Sequence, residues 1–396
     1  MKKIQILFWS LLALIWISCG KERTLEPLEK NSTPPGKVSN VQWTAGPGYA
    51  TITYALPSDP DLLYVKAVYN LASGREMEVK ASYYGRTLKV EGFGDTDEHE
   101  VKLFAVNRSE VASEAVSIKV KPLENPIWNV FRSLSLAPDF SGIRVTASNL
   151  TKADLAFEVY AADSTGVLKP TANNIYTSAE EVRRTIRGYD SIPRSFAVTV
   201  RDRWLNYSDT LYANLTPLYE AEIPRPGFRS LSLPGDVGLH SSTPMTGMWD
   251  GIADPWPQIV MTSSAVLTPQ WITFDIGKLA TLSRIVIYDY GEYFNGRTYF
   301  YAGNLLDFEI WGTDNPPADG SFNNWVKMGT FKSVKPSGSP YGVNTAEDRE
   351  IARAGISYTF EPGMPKVKYL RIKSNKNWQG TTYFAIAEVR VFGDPR

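Results

Sequence analysis

Residues 271–276 constrain this chain more than any other stretch. Ile272, Phe274 and Ile276 point one way along an extended backbone, and Trp271, Thr273 and Asp275 point the other. A period of two marks a strand with one face in a core. Gly277 and Lys278 then turn the chain into a second apolar strand over 282–290. Further strands are expected at 305–311, 325–331, 369–373 and 386–392, with Gly, Pro, Asn and Asp between them. The last third therefore reads as a sandwich of sheets, with its connecting loops gathered at two ends. Such loops are where binding is carried.

The chain ahead of it is also strand-rich. Residues 38–122 hold seven short candidate strands, at 41–43, 50–54, 63–69, 76–79, 87–90, 101–106 and 115–120. So many short strands with turn signals between them, and no cysteine, predict a small β-sandwich. Residues 123–220 form another strand-rich unit, with strands expected at 143–145, 155–160 and 196–200. Residues 178–186 are expected to form a short helix, with Ser178 as N-cap and Glu180 and Glu181 in its first turn. The run from Arg201 to Asp209 is the densest polar motif of this unit. Its alternating charges favour a structural corner over a sugar contact. The acidic stretch around His99 reads as a solvated turn. Pro217, Pro224, Pro226 and Gly227 mark the last junction. The expected fold class is all-β, with three tandem β-sandwich domains at 38–122, 123–220 and 221–396.

Charge and two scarce residue types narrow the function. Lys plus Arg and Asp plus Glu both total 42, so the chain is formally neutral. It has no basic field to draw nucleic acid or anionic lipid. Two histidines, His99 and His240, and one cysteine rule out an intrachain disulfide and a Cys- or His-rich zinc site. The 17 Phe, 21 Tyr and 11 Trp exceed what small cores need and leave rings for a binding surface. No nucleophile elbow, zinc-protease helix or phosphate-binding loop is present, so the chain is not expected to be an enzyme. A glycosidase-type carboxylate pair stays open among 42 acidic residues.

The lone cysteine, Cys19, follows Lys2-Lys3, an apolar run over 4–17 and Ser18. This reads as a secretory signal, too short for a stable membrane span. The small residue before Cys19 resembles a bacterial lipobox, although Trp16 stands where Leu is usual. The resemblance implies cleavage after residue 18 and lipidation of Cys19. A free cysteine in a short anchor helix is the alternative. Residues 19–37, with Pro27, Pro34, Pro35 and Gly36, would then be a lipidated tether.

Asp250-Gly251, the strand from Trp271 and the terminal stretch from Ile386 to Gly393 together resemble the factor V/VIII type C, or discoidin-like, galactose-binding jelly roll. Leu63 to Tyr69 and the run 101–106 resemble a fibronectin type III module, which implies a spacer. The three-domain order resembles surface lipoproteins of Bacteroidetes. The resemblance implies a place on the outer membrane, within a polysaccharide-uptake system and beside its transporter. It also implies one Ca2+ between the Asp-Gly turn and the terminal strand, with Asp250, Asp254 and Glu388 as oxygen ligands. Pro255 follows Asp254 where the family pattern has Thr before Trp, so the site is open to loss. The alternative for Glu388 is an ion pair with Arg390 or Arg371.

Three loops mix rings with hydrogen-bonding side chains. They are 249–257, 291–301 and 373–380. Such loops suit a sugar, whose C–H face stacks on a ring and whose hydroxyls meet fixed donors and acceptors. The candidate contacts are Trp249, Trp256, Tyr293, Asn295, Arg297, Tyr299 and Trp378. Some of these rings could instead cap the core. The favoured function is non-catalytic glycan binding at the cell surface. A structural or protein-binding lipoprotein is the alternative, with the same rings as a hot spot, and a glycoside hydrolase is less favoured.

Overall fold

The structure, a computed structural model, describes residues 30–253, 256–294 and 296–396. The signal segment, Cys19, the first part of the tether, Asp254 and Asn295 lie outside the described residues. Among the described residues no helix is long and apolar enough to cross a membrane.

The chain is a row of β-sandwiches. In the first, a three-stranded sheet (Ser39–Gly46, Tyr49–Ala55, Thr87–Glu91) faces a four-stranded one (Glu76–Ser82, Leu62–Asn70, His99–Asn107, Val116–Val120). Alternate residues Ile52, Val65, Ala67, Val90 and Leu103 fill the space between them. His99 begins a strand and stacks on Phe93, with Asp95 Oδ1 2.7 Å from its Nε2.

The second sandwich pairs a three-stranded sheet (Glu181–Arg187, Gly142–Ser148, Ser135–Asp139) with a five-stranded one. The latter comprises Leu168–Pro170, Ile175–Thr177, Leu155–Ala162, Arg194–Arg201 and Tyr207–Leu215. Helix Pro126–Ser133, capped by the Asn125 side chain, packs Ile127 and Val130 into the same core. The helix expected at 178–186 is instead the strand Glu181–Arg187, paired with Gly142–Ser148. Val182 and Ile186 are its buried residues. A spacing of four satisfies a helix turn and a strand alike, so the apolar pattern could not separate them. The β-branched Val182, Thr185 and Ile186 favour the extended form.

The third sandwich is organised by one long strand, Gln270–Asp289. The two strands expected at 271–276 and 282–290 are its arms. The first arm pairs with Val367–Asn377, and the second with Ala385–Asp394. Gly277, at φ 72°, sits at the bend, and a Cβ there would stand 2.5 Å from Gly227 O. The strand thus passes from one sheet to the other, and Ile272, Phe274, Ile276, Leu282 and Ile285 share one core. Both strand ends, Gln270 and Asp289, emerge at the pole away from the bend. A second helix, Ala346–Ala354, carries a Thr345/Asp348 capping box.

Polar clamps fix the joints between sandwiches. At the first joint Asp202 accepts from Trp204 N, Asn206 N, Asn206 Nδ2 and Asn125 Nδ2 at 2.7–3.0 Å. Asn125 and Asn206 also donate to the carbonyls of Phe93 and Gly92 in the first sandwich. The polar run 201–209 is therefore a corner that holds two domains together. At the second joint the buried Glu220 carboxylate meets Arg187 at 3.1 Å from one domain and Arg284 at 3.1 Å from the next. Arg183 and Arg144 both pair with Glu361 nearer the surface.

Removing one partner of a buried ion pair strands the others. Glu220→Ala is expected to cost about 3 kcal/mol in urea unfolding. The more exposed Glu361→Ala is expected to cost about 1 kcal/mol or less.

Candidate functional site

The far pole of the third sandwich gathers most of the ring-bearing loops. Residues 290–304 leave the end of the long strand there, and internal hydrogen bonds pin their base. The fully buried Asn304 donates to Tyr290 O at 3.0 Å and accepts from Tyr301 N at 3.1 Å. Asn344 brackets Tyr299, accepting from its N–H at 2.6 Å and donating to its carbonyl at 2.9 Å. Asp289 accepts from Phe300 N. The tip is a small hairpin that pairs Glu292 with Thr298 and Tyr293 with Arg297.

On this base stands a shelf of rings. The Arg297 guanidinium lies 3.8 Å from the Tyr293 ring centre and 5.8 Å from that of Tyr290, and it donates to Gly291 O at 2.5 Å. Tyr290 in turn lies 6.4 Å from Trp256, which meets His240 edge-on at 5.2 Å. Tyr293 is 74% exposed and Trp256 39%. A second row continues from it: Phe294 stacks on Tyr301 at 5.2 Å, and Tyr301 on Tyr341 at 4.7 Å.

Tyr341 comes from a segment that gave no sequence signal beyond turn residues. Its loop closes around the buried Lys335, whose ammonium donates to the carbonyls of Ser339, Pro340 and Val343 at 2.9–3.2 Å. Burial lowers the pKa of Lys335. Asp348 ties the far side of the loop, accepting from Ser337 N, Ser337 Oγ and Thr345 N at 2.7–3.0 Å. Glu292 stands half-buried beside the shelf. Desolvation raises its pKa and Arg297 opposes the rise. Burial raises the pKa of the Tyr341 and Tyr383 phenols, and the nearby Glu292 charge adds to the rise. Ring faces, a guanidinium and a carboxylate thus meet in one place. Such a set can stack on an apolar C–H face and bond hydroxyls around it.

Not every expected contact reaches this shelf. Tyr299 is 4% exposed, and its hydroxyl accepts from Arg353 Nε at 3.2 Å. Trp378 is half-buried beneath the pole, edge-on to Phe300 at 5.6 Å, with Lys335 Nζ 5.5 Å from its ring centre. Trp249 packs on Phe228 and Phe274 at the side of the core, away from the shelf. Asn295 lies outside the described residues.

The expected calcium ligands have other partners. Glu388 is buried, and Arg225, neither of the arginines expected, binds its Oε1. Gly251 N donates to its Oε2 at 3.2 Å. Burial raises the pKa of Glu388, while Arg225 and Gly251 oppose the rise. Asp250 is exposed and accepts from Ile252 N at 2.8 Å, and Asp254 lies outside the described residues. With a guanidinium on Glu388, the described residues do not fit an oxygen cage for Ca2+. Among the described residues no three His, Cys, Asp or Glu cluster as metal ligands.

The comparisons divide the chain in three. Models of domains of unknown function match residues 35–122 (DUF4959), 123–226 (DUF5126) and 249–393 (DUF5000). No curated protein matches the chain. Among solved structures it is similar to a SusE-like protein at 28% identity, covering 68% of this chain and 98% of that one, with a TM-score of 0.44. The C-terminal domain of a chitobiase from Bacteroides fragilis is similar at 12% identity over 44% of this chain and 97% of that one, with a TM-score of 0.31. A CBM32 module of a GH31 protein, bound to GalNAc, is similar at 14% identity over 41% of this chain and 94% of that one, with a TM-score of 0.26.

Two outcomes follow for the pole and its side wall. Burial raises the Asp289 carboxyl to about 7, against the hydrogen bond from Phe300, and its Oδ2 has no partner. An acid raised on folding holds more protons folded than unfolded. Its stabilisation is complete below the unfolded value of about 4 and is lost as pH rises through about 7. Thermal melts are expected to weaken from about pH 4 to about pH 7, and Asp289→Asn to flatten that slope. Chelation with EDTA is expected to leave the melting temperature unchanged, because Arg225 already neutralises Glu388. A fall that CaCl2 restores would place a cation there instead.

Proposed function

We propose that this chain is a non-catalytic, lipid-anchored surface protein that binds glycan through the far pole of its C-terminal sandwich. The observation that carries the reading is the exposed Trp256 and the Arg297–Tyr293 pair set on either side of the buried Tyr290 ring. These rings are bracketed by Glu292, Arg297 and phenol hydroxyls, and their base is held by Asn304 and Asn344 before any ligand arrives. A preformed surface loses little entropy on binding. A bare aromatic tip would suit a lipid surface. The polar groups here suit a hydroxyl-rich ligand.

The signal pattern ending at Cys19 and the Pro-containing tether support an anchor in the bacterial outer membrane, with the sandwiches held off its surface. A protein so placed serves a polysaccharide-uptake system, handing captured chains to a transporter in the same membrane. Calcium is not needed for this reading.

Affinity electrophoresis through gels containing soluble polysaccharides tests it. Trp256→Ala and Arg297→Ala are each expected to weaken retardation about tenfold, or about 1.4 kcal/mol. Tyr299→Phe, which only removes a buried hydroxyl, is expected to change it little. Retardation on no glycan, or retardation indifferent to Trp256 and Arg297, would sink the reading.

A further inference from the structure

The middle sandwich carries a separate ring-bearing surface, on the outer face of its five-stranded sheet. Strand register sets its residues in rows. Tyr176, Ala156, Arg201 and Tyr207 form one row across four strands. Glu158, Thr199 and Thr210 form the next, and Tyr160, Ala197 and Tyr212 the third. The alternate residues Phe157, Val159, Val198 and Val200 enter the core, so these rows face outward. Tyr176 is 69% exposed and Tyr212 67%. The small residues between the rings, Ala156, Ala197 and Thr199, are buried beneath their neighbours.

The middle of the face is polar and self-neutralising. Arg201 Nε donates to Glu158 Oε1 at 2.6 Å, and Tyr160 Oη donates to Glu158 Oε2 at 3.0 Å. The bond to Glu158 raises the Arg201 pKa, and the neighbouring Tyr207 and Tyr176 add to the rise. A recess of about 360 Å3 opens between Tyr176 and Arg201.

This layout suits one partner class better than two others. A protein interface puts its apolar patch at the centre and polar groups at the rim, and here the rings stand at the corners around a polar middle. A nucleic acid seeks net positive charge, and the Glu158–Arg201 pair cancels. A neutral chain with C–H faces at its ends and hydroxyls between is complementary to both features. Tyr160 and Tyr212 flank Ala197 from two strand spacings apart, about 10 Å, which leaves room for a sugar ring between them.

We propose that this face binds an uncharged oligosaccharide, as a second carbohydrate site separate from the far pole. Tyr176, Tyr207, Tyr160 and Tyr212 stack on its ring faces, and Glu158 and Arg201 bond the hydroxyls between. The proposal does not rest on the far-pole reading.

The test uses the full chain in affinity gels containing galactan, xyloglucan, pullulan or polygalacturonate. With Trp256→Ala and Arg297→Ala together, at least one neutral polymer is expected still to retard the protein. Adding Tyr176→Ala and Tyr212→Ala is expected to cut that retardation about tenfold. The Tyr176→Phe and Tyr212→Phe pair keeps the rings and is expected to keep most of the binding, which separates lost stacking from lost folding. Retardation indifferent to the tyrosine pair overturns the proposal. So does retardation by polygalacturonate alone, or by no polymer. If the far-pole variants abolish all binding while the tyrosine pair changes nothing, this proposal falls and the far-pole reading stands. If the tyrosine pair alone abolishes binding, the far-pole reading falls and the middle-sandwich site stands.

Discussion

One strand crossing between two sheets is the constraint on which the C-terminal domain depends. Gln270–Asp289 belongs to one sheet before Gly277 and to the other after it. The crossing works because Gly277 lets the backbone turn at positive φ where Gly227 leaves no room for a side chain. Its consequence is geometric. Both ends of the strand emerge at one pole, so the loops that follow Asp289 and those that precede Gln270 share a rim. Trp256 and Arg297 each approach Tyr290, the residue that follows the end of that strand.

The order of the loops comes from buried polar side chains bonded to backbone. A single cysteine leaves no intrachain disulfide to supply it. Asp202 closes the corner at the first joint, Asn304 and Asn344 fix the base of the rim, and Lys335 folds a turn around its ammonium. Each satisfies several backbone groups at once, which offsets the cost of burying it. Lys335 gathers three carbonyls as a bound cation would. Arg225 does the complementary work on Glu388, so two places where a loop needs positive charge obtain it from the chain itself.

The sequence was legible where structure is local. Period-two patterns located the principal strands, and rings beside Asn, Asp and Arg drew attention to the loops that carry Trp256, Tyr293 and Arg297. It was ambiguous at 178–186, where a spacing of four fits two geometries. It held signals left unread: Asn125-Pro126 opens one helix, and Thr345 with Asp348 opens the other. Thr298, Tyr299 and Phe300 are all buried in succession, which breaks the alternation and hides which ring faces out. Other features depend on partners far along the chain. Arg225 reaches Glu388 across 163 positions, and Asn344 reaches Tyr299 across 45. Tyr341 sits among Ser, Pro and Gly and looks like any turn residue until Tyr301 is placed under it.

The joints decide what a multi-domain binder of this kind can do. Domains on flexible linkers present their surfaces in many relative orientations, and the effective concentration at a second contact is then set by linker length. Here Asp202 binds backbone of its own corner and, through Asn125 and Asn206, the carbonyls of the first sandwich. Glu220 takes an arginine from each side of the second joint. Both clamps are carboxylates with several donors, and loosening either one exposes an unpaired charge. Of the two, the Glu220 clamp is the one that ties the middle sandwich to the C-terminal one. Were both to bind glycan, a polymer long enough to span them would meet a higher effective concentration at the second than a short oligosaccharide would. If both proposed surfaces take glycan, stiffness between the sandwiches would favour long chains over short ones.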